Sequence, residues 1–351
     1  MIRMADLAAR HARGADRAER AVLEVLRSGR YVGGPLVAAV QSRVAAVMGW
    51  TYGASTNSGT DALVYALLAL GVKHGDEVVV PAVTFFATAG AVARVGAVPV
   101  VADVREDLPL LDATRLPLTP RTRAVIAVHL YGEGCPVPDL PVPVVDDLAQ
   151  VVGAAPAPRN GTIGAMSFYP TKTLGAAGDG GLVLTDDPDT QAAVLRLTHH
   201  GMPAPNEHVR VRGAVGANSR LDALQAAVIL AHLDDLPARV AARQAHAAVY
   251  DAELPSFVRR LARSPGHPVH QYVVTVPRRE ALRQHLAERG VESAIYYPIP
   301  LSRQEALSGI AHAPTPNADR FCAESLALPV HECLAPADVA RVIDAVKAFA
   351  P

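Results

Sequence analysis

The 351-residue chain predicts an α/β layered fold followed by a smaller α+β unit, and three observations carry that reading. Between about residues 54 and 200, short apolar runs alternate with stretches of helical spacing. The runs are apolar on both faces, as strands of a covered, largely parallel sheet must be. After about residue 256 the alternation gives way to one strand-like run, helical stretches and a proline-punctuated loop.

Strands are expected at Glu77–Pro81, Pro99–Val104, Ala124–His129, Val142–Asp146, Ala165–Phe168 and Gly181–Thr185. Helices are expected between them, at Asp61–Leu70 and Thr88–Val95. Gly132–Pro143 is too short and too proline-rich for a long crossover helix, so loop with about one turn is expected there. Ser219–Leu236 reads as a helix capped by Ser219, with Asp222 three residues on. Alanine-rich helix continues from Pro237 to about Leu254. A strand-like His270–Val276, a helical Arg279–Arg289, the loop Tyr296–Leu301 and a last helix, Pro336–Phe349, complete the chain. The expected division is an amino-terminal arm and large domain over 1–236, then a linking helix and small carboxy-terminal domain over 237–351.

Composition narrows the function classes. With 33 Lys+Arg against 34 Asp+Glu, no net field favours nucleic acid or an anionic membrane. The first twenty residues are charged and helical in pattern, without the apolar core of a signal peptide, and no run reaches the length of a membrane span. Cys135, Cys322 and Cys333 are scattered and form no CxxC pair, which points to a reduced, cytoplasmic protein without disulfides. The thirteen histidines include no HExxH-type spacing, so no metal site is expected.

Five constellations carry chemistry. Thr56-Asn57-Ser58-Gly59-Thr60-Asp61 is a small-residue turn entering an apolar helix; it suits a phosphate at the helix N-terminus or is an ordinary N-cap. Pro81-Ala82-Val83-Thr84-Phe85-Phe86 places aromatics after a strand, where they stack on a planar ring or pack in the core. Asp146-Asp147 follows an apolar run. Carboxylates there either face a ligand beyond the carboxyl ends of a sheet or cap a loop. Gly216-Ala217-Asn218-Ser219-Arg220-Leu221-Asp222 is a turn before a helix, read alone as a capped start with a surface ion pair. Ser167-Phe168-Tyr169-Pro170-Thr171-Lys172-Thr173-Leu174-Gly175 sets a lysine in a polar, aromatic run with a glycine-rich tail. That lysine is either a solvated surface group or a desolvated amine that carries pyridoxal 5'-phosphate covalently.

Taken in order, a phosphate-type turn, an aromatic, a carboxylate and this lysine make up a pyridoxal phosphate site. The sequence resembles the DegT/StrS family of sugar aminotransferases. It does so through SGRYVGG (28–34), SGTDAL (58–63), GDEVVVPAVTF (75–85), TPRTRAVIAVHLYG (119–132), DDLAQ (146–150), SFYPTKTLGAAGDGG (167–181) and NSRLDALQAA (218–227). The resemblance implies fold type I: a large domain around a mostly parallel mixed sheet and a smaller C-terminal α+β domain. It implies that Lys172 binds the cofactor, Asp147 pairs with the pyridine nitrogen and Gln150 lies on the same face of the ring. It also implies that Phe85 stacks on the ring and that Gly59, Thr60 and Ser167 contact the phosphate. Asn218 is implied as a phosphate ligand given by a neighbouring subunit, hence a homodimer with shared active sites. Tyr31, Tyr169, Tyr296 and Tyr297 are the substrate-side candidates.

Two departures stand out. The family has a longer helical connection where this chain has Glu133–Pro143, and Tyr296-Tyr297-Pro298 and Pro300-Leu301-Ser302 stand where many members read HYP and PLH. The implied activity is transfer of an amino group from glutamate or glutamine to a keto sugar, nucleotide-linked in the family's commonest case, in amino-sugar or antibiotic biosynthesis. A glutamine-dependent keto-cyclitol aminotransferase shares every cofactor residue. A cofactor-dependent sugar dehydratase and a non-catalytic regulator are the remaining alternatives; Lys172 argues against the first, and Lys172 with Asp147 and the phosphate turn against the second.

Overall fold

The computed structural model describes residues 1–310 and 312–349. Seven strands build the main sheet: β1 (Tyr52–Thr56), β2 (Glu77–Pro81), β3 (Val98–Ala102), β4 (Thr122–Val128), β5 (Val144–Asp147), β6 (Ile163–Ser167) and β7 (Gly181–Thr185). Their spatial order is β1-β7-β6-β5-β4-β2-β3. β7 lies antiparallel to both of its neighbours, while β3, β2, β4, β5 and β6 run parallel. The sheet is therefore mixed and mostly parallel, as expected.

The helices of this part are α1 (Leu7–Ala12), α2 (Ala15–Ser28), α3 (Pro35–Val47), α4 (Gly59–Ala69), α5 (Ala87–Arg94), α6 (Pro188–Leu197) and α7 (Ala223–Leu233). Alternation along the strands sorts their side chains into two cores. Val183 joins the cluster that holds Leu63 and Leu67 of α4 and Val92 of α5. Its neighbours Leu182 and Leu184 join Val40 and Val44 of α3 and Ile229 of α7 on the other face.

A long helix, α8 (Leu236–Glu253), leads to a three-stranded sheet of β8 (Arg259–Arg260), β9 (Tyr272–Thr275) and β10 (Ser325–Leu328), with α9 (Arg279–Glu288), α10 (Pro316–Glu324) and α11 (Pro336–Lys347). Tyr250, Tyr272, Leu286, Leu328 and Val342 centre a separate core there. The chain's start crosses to this unit: Ile2 sits in that core and bridges Val291.

Expected strands lie within two residues of the observed ones, but β1 escapes a hydrophobic reading. Its Ser55 and Thr56 are buried and satisfied by hydrogen bonds, Ser55 Oγ accepting from Gln41 Nε2 at 3.0 Å and Thr56 Oγ1 donating to Ser58 O at 2.9 Å. The helix expected from Ser219 begins at Ala223, with Asp222 at the N-cap. Ser219 lies three residues before that cap and its hydroxyl accepts the Asn57 N–H at 3.1 Å instead, and Arg220 turns to His199 rather than forming an ion pair. Between β4 and β5 there is a single 3-10 turn, Leu130–Gly132, and no α-helix. A groove of about 770 Å³ runs along this connection, lined in part by Glu133, Cys135 and His267. Among the described residues, no helix is long and apolar enough to cross a membrane.

Candidate active site

The site forms beyond the carboxyl ends of the parallel strands, where open α/β sheets gather ligands. Ser58 caps α4, its Oγ accepting the Asp61 N–H at 3.1 Å. The first N–H groups of such a helix have no backbone partner within it, and here the turn packs against Ser167 at the end of β6. A Cβ on Gly59 would stand 2.6 Å from Ser167 Cβ and 3.0 Å from its Oγ. Only glycine lets the helix start this close to the serine, so the turn and the hydroxyl form one cup of donors suited to a phosphate.

β5 carries two consecutive carboxylates, which alternation sends to opposite faces. Asp146 is fully buried. Its Oδ1 accepts from His129 Nε2 at 3.0 Å and Asn160 Nδ2 at 2.8 Å, and its Oδ2 from the N–H groups of Asn160 and Gly161, each at 2.9 Å. His129 Nδ1 accepts the Cys135 N–H at 3.0 Å, so its proton resides on Nε2. Burial opposes ionisation of Asp146, but the His129 contact and the backbone donors outweigh it and hold the carboxyl below its ordinary range. Asp146 is thus a structural acceptor.

Asp147 is buried with only two donors: the Ala149 N–H at 3.2 Å and Thr88 Oγ1 at 3.3 Å. Thr88 is oriented by Thr84 Oγ1 at 2.9 Å. Burial pushes the Asp147 carboxyl above its ordinary range, against the pull of the Ala149 N–H and the Lys172 charge. This is an under-satisfied carboxylate, ready for a further cationic donor.

Lys172 faces it. Of the three lysines in the chain, Lys73 and Lys347 are exposed and Lys172 alone is withdrawn. Burial lowers the pKa of its ammonium, and Asp147 opposes that shift. Its backbone is bent back by the Lys172 N–H to Tyr169 O bond at 2.8 Å. Gly175 closes the loop, since a Cβ there would meet Pro170 O at 2.4 Å.

Around this pair the structure gathers a ring of aromatic and amide groups. Phe85 is exposed, with its ring centroid 6.1 Å from that of Tyr297. Burial, then Asp147, raise the Tyr297 hydroxyl pKa, while Gln150 opposes them. Gln150 Oε1 accepts the Tyr131 N–H at 2.6 Å. Tyr131, buried and at a φ of 61°, donates its hydroxyl to the carbonyl of Tyr296. That left-handed backbone is costly for a bulky residue and turns the chain so that Tyr131 ties the main sheet to the Tyr296–Tyr297 loop.

Gly59, Thr60, Phe85, Asp147, Gln150, Ser167, Lys172, Tyr296 and Tyr297 therefore converge within one chain. Tyr169, exposed, stays at the mouth. Tyr31 and Asn218 do not join: both are exposed, Tyr31 donating to Leu26 O at 3.2 Å and Asn218 bridging His199. Sequence reasoning missed Thr88, His129, Tyr131 and His270. Thr88 is one helical turn beyond Thr84, and that spacing is the one local signal for it. No local signal marks His270, whose Nδ1 lies 3.5 Å from Thr173 Oγ1.

This arrangement suits a pyridoxal phosphate enzyme, and the fold and the relatives together give the class, the pyridoxal phosphate-dependent aminotransferases of fold type I. Comparison with known proteins gives the particular family. The chain belongs to the DegT/DnrJ/EryC1/StrS aminotransferase family, whose model matches residues 13–347. It is 36% identical over 361 residues to a UDP-2-acetamido-2-deoxy-3-oxo-D-glucuronate aminotransferase of Pseudomonas aeruginosa, covering 97% of this chain and 98% of that one. It is 37% identical over 351 residues to a dTDP-3-amino-3,4,6-trideoxy-alpha-D-glucose transaminase of Streptomyces venezuelae, covering 95% and 92%. The crystal structure of S. venezuelae DesV superposes with a TM-score of 0.91 at 34% identity, covering 99% of this chain and 97% of that one. The protein is a sugar aminotransferase that uses pyridoxal phosphate.

Proposed function

We propose that the chain transfers an amino group from glutamate or glutamine to a nucleotide-linked keto sugar in amino-sugar biosynthesis. The observation that carries this reading is the single withdrawn lysine, Lys172, opposite the under-satisfied carboxylate Asp147. The UDP- and dTDP-sugar names of the relatives support the acceptor class.

In this reading Lys172 holds the cofactor and Asp147 keeps its ring nitrogen protonated. Gly59, Thr60 and Ser167 would hold the phosphate, and Phe85 and Gln150 would hold the ring. When bound, pyridoxal phosphate supplies an electron sink for negative charge developed at the donor's α-carbon. Once the donor's amine has taken its place, the freed Lys172 amine, its pKa lowered by burial, would move the proton off that carbon, a step worth roughly 10²–10⁴-fold. Tyr169, Tyr296 and Tyr297 line the substrate side, and Tyr31 and Asn218 serve the site of a second copy in a homodimer. Residues 1–236 form the arm and large domain, 237–351 the linking helix and small domain; the separate core around Tyr250 and Tyr272 supports this division.

The experiment has two arms. Borohydride reduction of the cofactor-loaded enzyme should tag Lys172 and leave Lys73 and Lys347 unmodified. A screen of glutamate and glutamine against UDP- and dTDP-keto sugars and free keto-inositols should release 2-oxo acid beyond one equivalent per site only with a nucleotide-linked acceptor. Label on another lysine, or repeated turnover by Lys172→Ala, would remove the assignment. Turnover with the free keto-inositol alone would replace the acceptor.

A further inference from the structure

The loop that carries Lys172 is held by a residue far from it in sequence. Arg10 of α1 donates through Nη1 to the carbonyls of both Pro170, at 2.8 Å, and Lys172, at 2.9 Å. Its other edge is occupied by Glu332, with Nε to Oε1 at 2.6 Å. Glu332 in turn accepts from Arg243, Nε at 3.0 Å and Nη2 at 2.8 Å. Arg243 Nη1 donates to the carbonyl of His270 at 3.1 Å. His270 reaches back to Thr173. The circuit therefore closes on both sides of Lys172, and its three ionic members are all buried.

α1 is six residues long, and Arg10 is its only buried residue. The helix buries no apolar side chain, so the hydrophobic effect does not account for its docking. What it brings inward is a guanidinium, a group that costs much to bury unless every donor is matched. Its planar fork serves a carboxylate on one edge and two carbonyls on the other, which the point charge of a lysine could not do. We infer that Arg10 is a positioning residue for the Lys172 amine, fixing the Pro170–Lys172 backbone from the amino-terminal arm, with Glu332 and Arg243 orienting Arg10. The inference rests on the reading of Lys172 as the cofactor lysine.

The test compares Arg10→Met, Arg10→Lys and Glu332→Gln with a surface control, Arg17→Gln, in the full chain. Amide exchange is measured on protein stripped of cofactor, and steady-state kinetics on the loaded enzyme. Arg10→Met should speed exchange in residues 169–176 while the rest of the main sheet keeps its protection. Its kcat should fall by about 10–100-fold, the scale of a misplaced reacting group, with KM for both substrates within about twofold. Arg10→Lys should recover part of both effects, and it carries the test if Arg10→Met does not fold. Unchanged loop exchange and kcat would overturn the inference. So would exchange that rises uniformly with activity tracking only the folded fraction, because that marks a purely structural role. Active Lys172→Ala beside a loosened loop would instead sink the reading of Lys172 and leave the clamp as a loop anchor without a catalytic purpose.

Discussion

The two adjacent carboxylates of β5 should respond in opposite ways to the same substitution. Asp146 gives each of its oxygens to two donors, four hydrogen bonds in all. Asp146→Asn turns one oxygen into a donor, and whichever oxygen is replaced, two buried donors lose their acceptor. At about 1–3 kcal/mol for each buried group left unsatisfied, the loss is about 2–6 kcal/mol, a large share of a domain's usual 5–15 kcal/mol. Asp147→Asn differs, because the Ala149 N–H can keep the amide oxygen on its side while the Thr88 hydroxyl, bound to the other oxygen, can turn to accept from the new amide N–H. Burial holds the folded-state pKa of Asp147 above its unfolded value, so its ionised form costs stability at neutral pH and removing the charge relieves that cost. Urea unfolding of cofactor-free protein at pH 7 should show a much lower midpoint for Asp146→Asn and an unchanged or higher one for Asp147→Asn. Cofactor-dependent turnover should vanish in Asp147→Asn, although the protein is folded. Stability lost in Asp147→Asn and kept in Asp146→Asn would refute the division of roles.

The contact of Gly59 with Ser167 and the buried ion pair give two further tests. Gly59→Ala must push against Ser167 and should cost about 1–3 kcal/mol of cofactor-free stability; its cofactor Kd, by fluorescence titration, should rise at least about tenfold, and adding Ser167→Gly should restore the stability but not the affinity. Although burial raises the Glu332 carboxyl, Arg243 and Arg10 pull it down to about 2. Its stabilisation, about 3 kcal/mol for a shift from 4.5, is present above the unfolded value and lost as pH falls towards 2, so acid unfolding curves of wild type and Glu332→Gln should converge in that window.

What the sequence made legible follows the range over which each feature is encoded. Apolar runs of β2, β4 and β7 report burial on both faces, a property of the residues themselves. The turn at Ser58–Thr60 and the loop around Lys172 could be read because capping, glycine tolerance and loop chemistry act over a few residues. β1 could not, since its buried Ser55 and Thr56 look exposed until Gln41 and Ser58 are known to satisfy them. Ser219 likewise looked like a cap until Asn57, 162 positions away, took its hydroxyl. Asp146 and Asp147 are identical in type and adjacent, and only the partners brought by Asn160, His129 and Thr88 tell them apart.

The same distinction explains why the sequence singles out Lys172 but not the groups that support it. An amine with a lowered pKa needs a dry surrounding and a fixed backbone, and neither comes from its neighbours in sequence. Thr171 and Thr173 beside it are ordinary loop residues. The fixing groups arrive from α1, from α8 and from the segments around His270 and Glu332, with Arg10 lying 162 positions before Lys172 and Glu332 lying 160 after it. Each alone is an unremarkable arginine, glutamate or histidine. The site becomes complete only when the arm and the carboxy-terminal unit close on the end of the main sheet, so loosening either should reach Lys172 before it reaches the strands that carry Asp147.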